Sequence, residues 1–258
     1  MVTERKTKKA KKSEARAKRT SQVSPVEDKN NDMKPSLSYR LNDALEKVEL
    51  KESQQKFFDT ILKNEITFCQ GPAGTSKTFT TCYAAIKLLA HNRIKKIVFC
   101  KPASQVKSEA IGFIPGSISD KLAPIVESYR YNIEKIVGKE LLEILEKENI
   151  IEYKPLAFMR GISADYAFMV LDESQNADYH SLILFITRMG HNSKSVLMGD
   201  VSQYDIDRKS VKFPDFVKMF EKIKGVGVHY YTNADIVRNK ILIEITEIYE
   251  KWKFDNNL

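Results

Sequence analysis

The chain has no apolar run approaching the ~18 residues that a bilayer-spanning helix needs, so no membrane partner is expected. Its N-terminus carries no apolar stretch, and no secretory leader is expected. Cysteine is scarce: the 258 residues hold three, Cys69, Cys82 and Cys100. An odd count gives no disulfide framework, and the spacing matches no metal-binding pattern. Buried, reduced core thiols and a cytoplasmic setting are the expectation. No period of solenoid length recurs. Net charge is also nearly absent from most of the chain, because acidic and basic side chains balance there. Of the net +8, seven charges fall in the first twenty residues, where nine Lys and Arg face only Glu4 and Glu14. The other 238 residues are close to neutral, at +1.

What is present divides in two. Residues 1–37 are poor in apolar side chains and carry Ser24-Pro25 and Lys34-Pro35 breaks. They are expected to form a disordered basic arm able to hold nucleic-acid phosphates in a salt-dependent way. From residue 38 to 258 the apolar content, 42% over the whole chain, suffices for one sizeable core. Helix and strand patterns alternate there. Helices are expected over 54–63, 77–90, 120–148, 179–189, 213–223 and 234–251. Strands are expected over 66–70, 96–101, 150–153, 167–171, 195–198 and 226–231. Several of the strands are continuous apolar runs, as strands covered on both faces require. The fold class expected is α/β, a mostly parallel sheet with helices on both faces, with ligands at the carboxyl ends of the strands.

The polar motifs fall at those strand ends. Residues 71–78 read GPAGTSKT after the first strand and before a helix. The phosphate-binding pattern G-x-x-x-x-G-K-[ST] is met by Gly71, Lys77 and Thr78, with Pro72, Ala73, Gly74 and Thr75 inside the loop. Inward backbone N–H groups and the helix N-terminus suit the β- and γ-phosphates of a nucleoside triphosphate. Lys77 suits the phosphate oxygens and Thr78 a Mg²⁺ ion. Ser76 stands where the second glycine belongs and meets a steric penalty if φ is positive there. The apolar strand 167–171 ends in Asp172 and Glu173, the first placed to hold Mg²⁺ and the second to act as general base toward water. After the next strand, Gln203 in GDVSQYD (199–205) can bond both a γ-phosphate and a water, which suits a sensor.

With these motifs stand AIGFIPG (110–116), PLAFMRG (155–161), VLDESQNA (170–177), TRMG (187–190) and DIVR (235–238). Together they resemble, over about residues 53–250, the PhoH-like family of RecA-like P-loop ATPases, relatives of superfamily one helicases. The resemblance implies Mg²⁺-dependent ATP binding and hydrolysis, coupled to RNA or single-stranded nucleic acid, with RNA helicase activity within its scope. It also implies a ring-shaped homo-oligomer, often a hexamer. A glutamine before the first strand reads adenine in the helicase relatives; Gln54 and Gln55 both stand there, and both remain candidates. Arg188 and Arg238 match arginines that act on a γ-phosphate, supplied from a neighbouring subunit. No appended ribonuclease domain accompanies the motifs, and no nuclease activity is expected.

Two readings compete with an ATP-driven motor. One is a nucleotide-switched nucleic-acid-binding protein with weak hydrolysis, which Ser76 favours. The other is a small-molecule kinase, which Asp172-Glu173 with Gln203 and the lack of an Arg-rich lid disfavour.

Overall fold

Strands buried on both faces decide the architecture. In the computed structural model, which describes residues 33–102, 118–200, 212–237 and 241–255, six strands form one sheet in which every pairing is parallel. They are β1 (Ile66–Gln70), β2 (Lys96–Lys101), β3 (Ile151–Pro155), β4 (Ala167–Leu171), β5 (Lys194–Gly199) and β6 (Val226–Tyr230), in the spatial order β3-β2-β4-β5-β1-β6. Successive side chains point to opposite faces. Ile97, Phe99, Phe168, Val170, Val196 and Met198 enter one core, while Val98, Cys100, Met169, Leu171 and Leu197 enter a second core on the other face.

The first face carries α1 (Pro35–Glu46), α2 (Glu52–Lys63), α3 (Lys77–Ala90), α4 (Ile118–Val137) and α5 (Lys139–Lys147). The second carries a 3₁₀ turn at Leu156–Met159, α6 (Tyr179–Ile186) and α7 (Phe213–Phe220). Helix α3 is buried almost all round and is the central helix of its layer. Helix α1 crosses it, with Leu37, Leu41 and Leu45 buried at four-residue spacing. The Ser38 hydroxyl donates to the Ala90 carbonyl at 2.5 Å and satisfies the last turn of α3. The folded body therefore includes Pro35–Leu37, with Pro35 opening α1 in the position where its missing N–H costs nothing.

Tyr129 anchors α4 to the sheet. It is fully buried, stacks on Phe99 with ring centroids 4.3 Å apart and donates to the Cys100 carbonyl at 3.3 Å. Burial of one such ring contributes about 1.5–3 kcal/mol.

Two expectations need correction. The helix over 120–148 is two helices: Gly138, at φ 80°, lies outside the helical region and turns the chain between α4 and α5. The helix over 234–251 is displaced, because residues 233–235 form a 3₁₀ turn closed by Asp235 on Thr232, and α8 covers Ile241–Asp255. The six strands match their expected positions to within two residues at either end. Residues 1–32, the 110–116 motif, Gln203 and Arg238 lie outside the described residues. Among the described residues no helix is long and apolar enough to cross a membrane.

Candidate functional site

Strand order brings the motifs together. β5 lies between β1 and β4, with Gln70 opposite Gly199 and Leu171 opposite Leu197. The phosphate-binding loop, Asp172-Glu173 and Asp200 therefore leave the sheet side by side at its carboxyl edge. They line one cleft of about 790 Å³.

The loop is held by its own hydrogen bonds. Gly71 donates to the Gly199 carbonyl at 3.2 Å, and Thr75, fully buried, donates its hydroxyl to the Pro72 carbonyl at 2.9 Å. A Cβ on Gly71 would stand 2.5 Å from the Cβ of Tyr231, so only glycine fits there. Gly74 and Ser76 both lie in the left-handed region, at φ 85° and 64°. The positive φ considered for Ser76 is thus its conformation, at a cost of about 1–2 kcal/mol for a residue with a Cβ.

Lys77 and Thr78 open α3. The Lys77 ammonium donates to the carbonyls of Gly71 and Pro72 at 2.7 and 2.8 Å, which leaves a third donor for an anion in the cleft. The Thr78 hydroxyl donates to Asp172 Oδ2 at 3.1 Å. A hydroxyl and a carboxylate at this distance are hard oxygen ligands suited to Mg²⁺. That ion is commonly held by one or two side chains together with substrate phosphates, and this pair is such a set.

Glu173 sits at φ 55°, also left-handed, which turns its side chain away from the line of β4. Burial, and then the charge of Asp172, push its carboxyl above the usual carboxylate range. A hydrogen bond from Gln175, then Lys101 and Lys77, pull it partly back. A carboxylate raised toward neutrality is a better proton acceptor than an ordinary one.

The two glutamines separate. Gln54 is buried at the third position of α2, where its Oε1 accepts from the Lys51 N–H at 2.8 Å, and it lines the cleft. Gln55 is exposed and bonds Asp59 at 2.9 Å, outside the cleft lining. Arg188 is not part of the cleft. Its carbonyl accepts from Ala164, which precedes β4, so it lies at the amino edge of the sheet. Strands of five or six residues, roughly 3.3 Å each, separate it from the phosphate-binding loop.

The structure adds residues that the motifs did not single out. Ser128, Tyr131, Asn132 and Lys135, one face of α4, wall the cleft, and Glu49 and Lys51 border it near Gln54. The 128/131/132/135 spacing was readable as a helix face, but nothing in the sequence says which way that face turns. Gln175 is buried and bridges two strand ends. Its Nε2 donates to Glu173 Oε2 at 2.7 Å and its Oε1 accepts from the Asp200 N–H at 3.0 Å. The three thiols are free and buried, and burial pushes Cys69 and Cys82 upward and Cys100 up to about 12, so none is a reactive group of the site.

An all-parallel sheet with a phosphate-binding-loop sequence after one strand and an acidic pair after another defines a P-loop protein of RecA-like fold. Residues 47–250 match the family described as PhoH-like protein, and the chain belongs to that family. It is 35% identical over 200 residues to a PhoH-like protein of Bacillus subtilis, covering 77% of this chain and 62% of that one. It is 29% identical over 193 residues to Protein PhoH of Escherichia coli, covering 74% and 54%. The chain thus spans somewhat over half the length of these relatives. Among solved structures, the large terminase of a thermophilic bacteriophage superposes with a TM-score of 0.48 at 9% identity, covering 80% of this chain and 50% of that one. The UvsW helicase of bacteriophage T4 superposes with 0.46 at 12% identity, covering 74% and 66%.

Proposed function

We propose that the chain binds ATP with Mg²⁺ in this cleft and hydrolyses it. The observation that carries the reading is the convergence of Lys77, Thr78, Asp172 and Glu173 on one cleft, with the Thr78 hydroxyl 3.1 Å from Asp172. In this reading the loop N–H groups and Lys77 bind the β- and γ-phosphates. Thr78 and Asp172 hold the Mg²⁺, which neutralises charge on the phosphates. Glu173 takes the proton of the attacking water, and its raised proton affinity supports that role. Gln54 reads the adenine base in preference to Gln55, because Gln54 alone of the two lines the cleft.

Arg188 lies too far from its own cleft to stabilise a γ-phosphate there. If it acts as a finger it does so in a neighbouring copy of a homo-oligomer. Coupling to RNA or single-stranded nucleic acid, with unwinding as its furthest form, rests on the charge of residues 1–20 and on family membership.

Steady-state ATP turnover with and without single-stranded RNA tests the reading. Turnover that RNA raises and Lys77→Ala abolishes is expected; no turnover with any nucleic acid would refute hydrolysis. A second reading, a nucleotide-switched binding protein with slow hydrolysis, is favoured by one observation, the left-handed Ser76 in the loop. A large gain in turnover for Ser76→Gly would support the switch, and no change would support the motor.

A further inference from the structure

Gln175 lies outside the cleft lining and is 1% exposed, yet its carboxamide joins the catalytic carboxylate to the rest of the site. Its orientation is fixed by its partners. A carboxylate at 2.7 Å requires a donor, so Nε2 faces Glu173, and a backbone N–H at 3.0 Å requires an acceptor, so Oε1 faces Asp200. Room for that oxygen is kept by Gly199: a Cβ there would stand 3.0 Å from Gln175 Oε1 and 2.9 Å from the Phe213 ring. The Gly199 carbonyl in turn accepts from Gly71, and the Gly71 carbonyl accepts from Lys77. Glu173, Gln175, the end of β5, the phosphate-binding loop and Lys77 therefore form one connected polar path across three strand ends.

Glu173 needs such a support. Its backbone is left-handed, and its carboxylate is buried beside Asp172, whose charge repels it. Without a donor, that carboxylate has no reason to stay aimed at one place.

We propose that Gln175 is a positioning residue for the hydrolytic step. It holds the Glu173 carboxylate in register with the end of β5, so that the general base and the phosphate-binding loop move as one unit. The inference rests on the reading of Glu173 as general base.

The test is a double-mutant cycle on the full chain, read as kcat and KM for Mg²⁺-ATP in single- and multiple-turnover assays. Gln175→Met, near in volume and without hydrogen bonds, should lower kcat about 30-fold and leave KM within about two-fold. In a Glu173→Gln background the same substitution should lower kcat less than about two-fold further, because the group it positions is gone. A purely structural role would give the same loss in both backgrounds, and that result overturns the inference, as does unchanged kcat or a loss confined to KM. Gln175→Glu keeps an acceptor for the Asp200 N–H while removing the donor to Glu173. It serves as the second variant if Gln175→Met does not fold, with the same expectation in the two backgrounds. Turnover sensitive to Glu173→Gln but indifferent to Gln175 would overturn this inference alone. A wild-type chain without turnover would overturn both it and the proposed function.

Discussion

The two ends of the sheet solve the same turning problem with different residues. At the amino end, the turns into β2, β3, β5 and β6 place Asn92, Asn149, Asn192 and Gly225 at positive φ, and among the described residues only Tyr166 before β4 is an ill-suited type there. Asparagine and glycine tolerate that region at little cost. At the carboxyl end, Gly74 is accompanied by Ser76 at φ 64° and Glu173 at φ 55°. Neither serine nor glutamate favours that conformation. The strained residues of the carboxyl end, Ser76 and Glu173, both line the cleft of the proposed site, while the amino-end turns lie away from it. Buried amide and carboxylate side chains follow the same contrast: Gln70, Asp172, Gln175 and Asp200 lie at the carboxyl end, whereas the buried polar residues of the amino end are the hydroxyls of Thr67, Ser193 and Ser195.

Substitutions at the two ends should therefore have opposite signatures. The largest expected effect is at the carboxyl end. Lys77→Ala should reduce ATP turnover by about 100-fold or more if, as proposed, its ammonium meets the phosphates. Wild-type turnover in this variant would break the assignment of the loop. The next effect concerns pH. The folded proton affinity of Glu173 lies above its unfolded value, so the folded state binds the extra proton between those two values. Without Mg²⁺, its contribution to stability is complete below the unfolded pKa and is lost as pH rises through the folded one. Glu173→Gln should remove that loss and unfold at higher temperature than wild type above the window; thermal melts across pH check it, and parallel curves would count against it.

At the amino end the signs reverse. Asn192→Ala should destabilise by about 1 kcal/mol, because alanine does not favour positive φ, while kcat and KM stay unchanged. A change in turnover would blur the distinction between the ends. The smallest effect is expected for Ser76→Gly. Relief of about 1–2 kcal/mol of strain is offset by about 0.5–1 kcal/mol of extra unfolded-state freedom, which leaves about 0.5 kcal/mol of stabilisation in denaturant titrations. A destabilised variant would mean that the Ser76 hydroxyl contributes more than its backbone costs.

The strands were legible in the sequence because buried parallel strands are near-continuous apolar runs, and β4 and the centre of β2 coincide with such runs. The loop, the acidic pair and their shared edge were legible because each motif ends a strand. Side-chain identity beyond the motifs was not. Gln54 and Gln55 are neighbours in sequence, and only the folded structure, with Gln54 buried and bonded to the Lys51 N–H, shows which one turns inward. Gln175 stands inside a recognised motif, yet its role depends on β5 lying beside β4, a long-range pairing that no local pattern encodes. The break at Gly138 was missed because the apolar spacing continues on both sides of it, with Ile133 and Ile136 before and Leu141, Leu142 and Leu145 after. Arg188 matched a motif, but only the sheet shows it at the far edge from the loop.

A strained carboxyl end that serves as a hydrolytic ATP site must lose hydrolysis, and not binding, when its base Glu173 is removed. ATP affinity and ATP turnover measured side by side on wild type and Glu173→Gln test this most directly. The predicted result is Mg²⁺-dependent turnover in the wild type, and a variant that binds ATP within about two-fold of wild type while turning it over about 100-fold more slowly. Equal turnover in the two proteins would contradict it.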